Sequence, residues 1–374
     1  MSGHSVIAPS SSARRVQCPR STTLEAMFPE DEDSPEAAEG EAAHWGVAEM
    51  LSGRLIDPGV IAPNGIALTV EMTEAADAVY DDVCRELAPF GLKPSDGKVE
   101  SRVAIPRVHP QSFGTPDYYI VLQLPGSLRV LVYDFKFGHR IVEHFENMQL
   151  VEYVAGITAG IADHAQPVEV IAKICQPRAY HRDGPIRAWR TSLLAMRALI
   201  NIASTAAHEA LGPDPRARVG PECRDCRGRH ACPALQQAGF AAMDEAKRIV
   251  PLEMSVQAMA LERRMVRRAI EALKARDTGL EQQLLSVAKS GAQVPGWRIE
   301  HGSGREAWTR PPAEIAAVAQ ALGVNVTKPL DVLTPTQARA AGLAPEIVDA
   351  FATRPRAAAA LVEDDGSKLR SIFG

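Results

Sequence analysis

The sequence predicts an α/β fold in which a mixed sheet is flanked by helices in the order αβββαβ, followed by a mainly helical C-terminal domain. Three observations predict it. Segments 99–108, 117–124 and 128–137 are rich in β-branched and aromatic residues, and Pro125-Gly126 marks a turn between the last two, so they read as an antiparallel meander. Helical spacing surrounds them: from about Pro35 to Gly53, from Thr73 as cap to Gly91 as stop, over 144–163, and over a long amphipathic stretch at 186–212, with 168–177 as a short buried strand before it. After Gly212 the β signal fades. Residues Leu252 to Lys289 read as one or two helices with Arg263, Arg264, Arg267 and Arg268 on a polar side. A small hairpin at 294–309, a short helix at 312–323 and a capping-box start at Thr334-Pro335-Thr336-Gln337 complete the second half. The domain boundary falls near residue 245, giving 1–245 and 246–374.

The chain has 374 residues, 46% apolar and 23% charged, the composition of an ordinary globular protein with room for two domains. No apolar run approaches the roughly 20 residues a membrane span needs, and the N-terminus lacks the apolar core of a secretory signal. The expected location is cytoplasmic, with no membrane partner. Forty-one Lys and Arg stand against 46 Asp and Glu, a formal charge of −5, which argues against coating nucleic acid by bulk positive charge. Seven carboxylates between Glu30 and Glu41 account for part of that balance. A local basic surface is available in the segment Lys173 to Arg229, with eleven Lys or Arg against five Asp or Glu, where Arg187 and Arg190 are the expected phosphate contacts. The stretch GLKPSDGK misses the phosphate-loop spacing by one residue, which excludes an easily recognised ATPase.

Strand alternation puts Val130, Val132, Asp134 and Lys136 on one face and Leu131, Tyr133, Phe135 and Phe137 on the other. A carboxylate and an ammonium on an otherwise apolar strand need a partner, because burying either alone is costly. Alone, the pair would be an ordinary ion pair at the sheet rim. A divalent cation on Asp134, with Asp117 at the start of the preceding strand and a backbone carbonyl, would be the usual oxygen set for magnesium or manganese. Gln149 and Tyr153, at i and i+4, share a helix face and can donate to a phosphate or an attacking water. His44, among small residues in the first long helix, offers a nitrogen ligand.

Six cysteines in a long reduced chain are too sparse for a disulfide framework, so clustered ones read first as metal ligands. Cys223, Cys226 and Cys232 form C-x2-C-x5-C. A fourth ligand must come from elsewhere, His230 locally or Cys18 at a distance; the ligands could hold zinc or an iron–sulfur cluster, and the spacing by itself favours zinc, the commoner structural site. Cys84 and Cys175 read as core thiols.

Taken together, His44 in its helix, Asp117 after Gly-Thr, Asp134-Phe135-Lys136, Gln149-x3-Tyr153, an N-terminal Cys-Pro and the C-x2-C-x5-C resemble the RecB-type branch of the PD-(D/E)XK nuclease superfamily, in the same order along the chain. The resemblance covers about residues 14 to 236 and implies a restriction-endonuclease-like core. Within that branch it is closest in pattern to AddB-type and CRISPR-associated RecB-like nucleases, which hold a four-iron cluster on four cysteines. It therefore implies Cys18, Cys223, Cys226 and Cys232 as ligands of a [4Fe-4S] cluster, with Zn2+ as the alternative. It likewise implies His44, Asp117, Asp134 and the Phe135 carbonyl as ligands of Mg2+ or Mn2+, Lys136 as the catalytic lysine, and Gln149 and Tyr153 as its supporting pair. The C-terminal third resembles the tail of phage-encoded RecB-like nucleases, which has no assigned activity.

The implied function is a metal-dependent DNA exonuclease of phage-type recombination, replication or repair. Its implied partners are DNA with a single-stranded end and a phage recombinase or single-strand-binding protein. A catalytically silent DNA-binding scaffold is the rival expectation. Phe135 and Phe137, bulkier than the residues that often flank the lysine, are expected to face away from the metal.

Overall fold

The computed structural model describes residues 5–29, 35–161, 166–245 and 253–299, together with positions 247, 346 and 370. Its helices are α1 (Ser12–Gln17), α2 (Arg20–Glu25), α3 (Pro35–Leu51), α4 (Val70–Leu87), α5 (Met148–Ile157), α6 (Leu193–Ala210), α7 (Pro233–Glu245) and α8 (Val256–Lys289). Its strands are β1 (Lys98–Val99), β2 (Val103–Ala104), β3 (Phe113–Gly114), β4 (Tyr118–Leu124), β5 (Ser127–Phe135), β6 (Val168–Cys175) and β7 (Ile186–Ser192). Five strands form one sheet in the order β1-β4-β5-β6-β7, and β2 pairs with β3 in a small second sheet. Only β5 and β6 run parallel, joined across α5; the other neighbours in the large sheet are antiparallel. The predicted α/β class with a mixed sheet is what forms.

Alternation along β5 divides the core into two layers. Leu131, Tyr133 and Phe135 face α3 and α4, where Val47, Met72, Val79 and Val83 pack against them. Val130 and Val132 face α5 and α6, meeting Leu150, Val154, Met196 and Ile200. Both faces of β5 are therefore sealed, as expected for a central strand paired on both sides. Asp134, on the second face, is the one charged side chain on β5 that this arrangement buries.

Several elements differ from the sequence reading. Residues 186–192, expected as the start of the long helix, form β7 instead. There Arg187 and Trp189 point inward while Ala188 and Arg190 are exposed, and Ser192 caps α6 by accepting from the Ala195 amide. The segment 99–108 is broken into β1 and β2 because Glu100 adopts a left-handed backbone, φ 43°, which ends the pairing with β4. α4 starts one turn early with Thr69 as its cap, and α5 starts only after Asn147, whose side chain accepts from the Gln149 and Leu150 amides. The glycine before β1, Gly97, serves close packing: the Tyr118 ring occupies the space a Cβ would need.

One compact unit runs from Met1 to Pro295, past the boundary expected near residue 245, and a second comprises Gly296–Gly374. The extension is α8, which packs on α7 and on the cysteine loop. Ala272 and Ala275 of α8 close over Leu235, with Cys223 and Cys232 at the edge of that cluster. Gly279 permits the close approach, since a Cβ there would lie 2.6 Å from Arg229 Cγ and 3.0 Å from the His230 amide nitrogen. The hairpin expected at 294–309 lies mostly outside the described residues, and the helix at 312–323 and the capping box at Thr334 lie wholly outside them.

Candidate carboxylate–lysine site and cysteine pocket

The C-terminal end of β5 and the start of β4 carry the carboxylates, and three helical and loop elements close around them. β4 begins one residue after Asp117, and the β4–β5 register pairs Tyr118 with Tyr133, which sets Asp117 beside Asp134 and Phe135. Asp117 Oδ2 accepts from the Phe135 amide at 2.5 Å, and its Oδ1 lies 3.3 Å from His44 Nδ1. Asp134 is enclosed at 2% exposure. Its Oδ1 accepts from Gln149 Nε2 at 2.9 Å and from the Lys136 ammonium at 3.1 Å. Gln149 also donates to the Tyr153 hydroxyl at 3.0 Å and accepts from Lys136 at 3.4 Å. Asp134 Oδ2 lies 2.9 Å from the Lys136 ammonium but outside hydrogen-bonding geometry, and it has no other partner.

Glu100, absent from the sequence reading, joins the site. Its amide donates to the Asp117 carbonyl at 3.0 Å, and its carboxylate, the His44 imidazole and the Asp117 carboxylate place ligand atoms within 4.8 Å of one another. Among the described residues this is the one group of three such atoms so close together. Asp134 stands next to this trio, turned toward Lys136 and Gln149. Phe135 contributes its amide to Asp117, and its ring meets the His44 imidazole edge-on at 5.0 Å. The phenyl ring, on the face of β5 opposite Asp134, thus buttresses the expected ligand His44.

The charges are mutually dependent. Burial alone would raise the Asp117 pKa, but His44, Lys136 and the Phe135 amide hold it below the ordinary carboxylate value. Burial raises Asp134, Lys136 lowers it and the nearby Asp117 raises it again, leaving it above its ordinary value. Loss of hydration, followed by the Asp117 charge, pushes Glu100 up to about 7. His44 is raised because Asp117 outweighs its desolvation. Desolvation depresses Lys136, but Asp134 and Asp117 more than offset it, so it stays an ammonium. Burial and then Asp134 raise Tyr153, which keeps its proton as a donor. Three carboxylates that cannot all ionise comfortably, one with an oxygen that makes no hydrogen bond, suit a divalent cation: it favours the ionised forms together.

The four cysteines implied as ligands, Cys18, Cys223, Cys226 and Cys232, line one cavity with Gln17 and Leu24. All are free thiols. Amides of Arg218 and Gly220 point at Cys18 Sγ and Cys223 Sγ, each at 3.4 Å. Burial, then Glu25, pushes the Cys226 thiol up to about 12, and burial raises Cys223. Zinc bound at about 2.3 Å to each sulfur would bring thiolates to within about 3.8 Å of one another. Among the described residues these sulfurs form no group of three within 4.8 Å of one another. His230 instead packs edge-on against Phe28, its Nδ1 3.2 Å from the Arg227 carbonyl. Cys175 is buried and Cys84 half-buried.

The basic segment is not the open phosphate surface that its composition implies. Lys173 is buried, 2.5 Å from Asp82 and 2.7 Å from Glu86. Arg187 is buried, donating to the Val142 carbonyl and Gln176 Oε1. Arg190 pairs with Glu86, Arg216 with Glu209, and Arg178 with Glu39 and Glu71. Lys173, Arg178 and Arg190 fasten the β6–β7 region to α3 and α4. Of the two expected phosphate contacts, Arg187 is therefore buried and committed to Val142 and Gln176, while Arg190 remains exposed beside Glu86.

Fold and site define a mixed α/β protein with a lysine-bearing carboxylate cluster at one end of its sheet and a four-cysteine pocket beside it. The chain belongs to DUF2800, a family of proteins of unknown function whose profile matches residues 4–368. The match spans both the sheet-bearing unit and the region after Pro295. No helix among the described residues is long and apolar enough to cross a membrane.

Proposed function

We propose that the chain is a metal-dependent deoxyribonuclease acting as an exonuclease in phage-type DNA recombination, replication or repair. The observation that carries this reading is the bond set of Asp134. An enclosed carboxylate, beside Asp117, is held by Lys136 and Gln149 through Oδ1, while its Oδ2, 2.9 Å from the Lys136 ammonium, makes no hydrogen bond. Asp117, Asp134, His44 and Glu100 would hold magnesium or manganese, with the Phe135 carbonyl completing the set. When bound, such an ion neutralises phosphodiester charge and lowers the pKa of a coordinated water.

The protein's own groups then have distinct tasks. Lys136, kept charged by its carboxylates, orients the attacking water and offsets negative charge on the phosphate. Gln149 fixes both Asp134 and Lys136, so the lysine cannot swing out of line. Tyr153, a phenol throughout, holds Gln149 from the far side. Water oxygen bonds to phosphorus and gives up a proton to solvent, the P–O bond to the leaving nucleotide breaks, and the departing oxygen takes a proton back from solvent, so the step balances. The cysteines would carry a [4Fe-4S] cluster that ties α1 to the loop before α7. This closes a loop of roughly 200 residues whose entropy would otherwise oppose folding.

End-labelled single- and double-stranded DNA incubated with the protein and magnesium or manganese tests the proposal. Progressive loss of label is expected, with Asp134→Asn and Lys136→Ala slower by at least about 100-fold. Either variant degrading DNA at the wild-type rate overturns it.

A further inference from the structure

The turn joining β6 to β7, residues 176–185, stands at the same end of the sheet as the carboxylates. The Lys136 amide donates to the Cys175 carbonyl at 2.8 Å, so the turn begins directly beside the lysine. Three residues after that lysine, His139 Nδ1 lies 3.3 Å from the Arg178 carbonyl.

Almost everything in the turn is tied down. Gln176 donates to the carbonyls of Gly138 and Arg140 at 2.8 and 2.6 Å. Arg178 bonds Glu39 at 2.7 Å and Glu71 at 2.9 Å, with its guanidinium 3.8 Å over the Phe137 ring. His181 accepts from the Asp183 amide at 3.1 Å, and Gly184 closes the tip with φ 91°.

Four residues of this fixed frame are exposed, Tyr180, Arg182, Asp183 and Pro185, and the first two carry an aromatic ring and a cation. Tyr180 is 80% exposed and the Arg182 side chain 72% exposed. Exposed apolar residues scattered singly need no explanation. Tyr180 differs by position: the other exposed aromatic side chains among the described residues, Phe240 and Trp297, lie on α7 and beyond α8.

We propose that Tyr180 is a stacking platform for a base of single-stranded DNA at the mouth of the carboxylate site, with Arg182 beside it for the adjoining phosphate. The assignment rests on the nuclease reading and names how that site would hold a strand end. A π-face accepts any base, so the contact is sequence-tolerant. A tyrosine on a pinned turn has few rotamers to lose on binding, which favours affinity. Arg178 is committed to Glu39 and Glu71, whereas Arg182 is held only loosely, 3.6 Å from Asp183, and is the exposed cation of the turn.

The test measures anisotropy of a fluorescein-labelled single-stranded oligonucleotide with the full chain in magnesium, using the Asp134→Asn form so the strand stays intact. Tyr180→Ala is expected to weaken binding between about 5-fold and 150-fold, the range of one lost base stack, while Tyr180→Phe stays within about 2-fold. On an oligonucleotide with abasic terminal positions, Tyr180→Ala is expected to cost nothing further. Because Tyr180 is exposed, its thermal midpoint should match the parent, which separates binding from folding. Unchanged binding by Tyr180→Ala, or an equal loss in Tyr180→Phe, overturns the stacking role. If the unsubstituted protein cuts DNA and Tyr180→Ala binds normally, only the Tyr180 assignment falls. If the unsubstituted protein neither binds nor cuts any DNA, the nuclease reading falls and takes this assignment with it.

Discussion

Arg15 of α1 and Glu152 of α5 form an ion pair in which both side chains are wholly sealed from solvent. Ser12 donates to the same carboxylate oxygen, and Arg15 also bonds the Ala8 carbonyl at 3.1 Å. The pair joins the segment carrying Cys18 to the helix carrying Gln149 and Tyr153. Removing one member strands a buried charge, so Arg15→Ala is expected to cost about 3–5 kcal/mol in urea unfolding. The double replacement Arg15→Met with Glu152→Leu should recover most of that loss. A single Arg15→Ala change below about 1 kcal/mol would contradict the enclosure.

Arg187 and Arg182 should behave oppositely although both lie in the basic segment. Arg187→Glu buries a carboxylate against Gln176 and the Val142 carbonyl and is expected to lower stability by several kcal/mol. Arg182→Glu, on an exposed tip, should leave the thermal midpoint within about 1 °C. Differential scanning fluorimetry on the two proteins separates them.

Glu100 is predicted to be a metal ligand. Titration calorimetry with manganese alone should show Glu100→Gln binding at least about 10-fold more weakly than the parent, with folding intact because the side chain is accessible. Equal affinity would leave Glu100 as a bystander.

The cysteine pocket makes a chemical prediction. Protein purified without oxygen should contain iron and acid-labile sulfide and show a broad visible charge-transfer band. Serine at Cys18, Cys223, Cys226 or Cys232 should lower iron content, whereas serine at Cys84 or Cys175 should not. Stoichiometric zinc without iron in an active preparation would replace the cluster with zinc.

Glu209, on the last turn of α6, takes both nitrogens of Arg216, at 2.6 and 2.9 Å. The Arg216 guanidinium holds its carboxyl down to about 2. A pKa lower in the folded state than in the unfolded chain means the pairing contributes fully above the ordinary glutamate value and is lost as pH falls toward 2. The midpoint difference between the parent and Glu209→Gln should therefore be largest at pH 7 and shrink steadily below about pH 4.5. A gap that widens with acid would reverse the sign of the linkage.

Much of the candidate site was readable because strand and helix periods are local. Asp134 and Lys136 share a strand face, and Gln149 and Tyr153 share a helix face, so spacing alone grouped each pair. Glu100 was unreadable because its place depends on a long-range register, Val99 against Tyr118, and on a backbone turned to φ 43°. β7 was misread as helix because its inward positions include Arg187, and a buried arginine breaks the apolar–polar alternation that announces a strand. Lys173 was misread for a related reason. Its neutralising partners, Asp82 and Glu86, sit on α4, and a count of charges within one segment cannot see them.

The docking of α8 has a practical corollary for anyone cutting the gene. A fragment stopped at residue 245 would retain every carboxylate, the lysine and all four cysteines, yet it would strip Ala272, Ala275 and Gly279 from over Leu235, Arg229 and His230. The thiol pocket would then open to solvent and oxidants on the side that the helix now roofs. A fragment that keeps the pocket roofed therefore runs to Pro295, where the first compact unit ends.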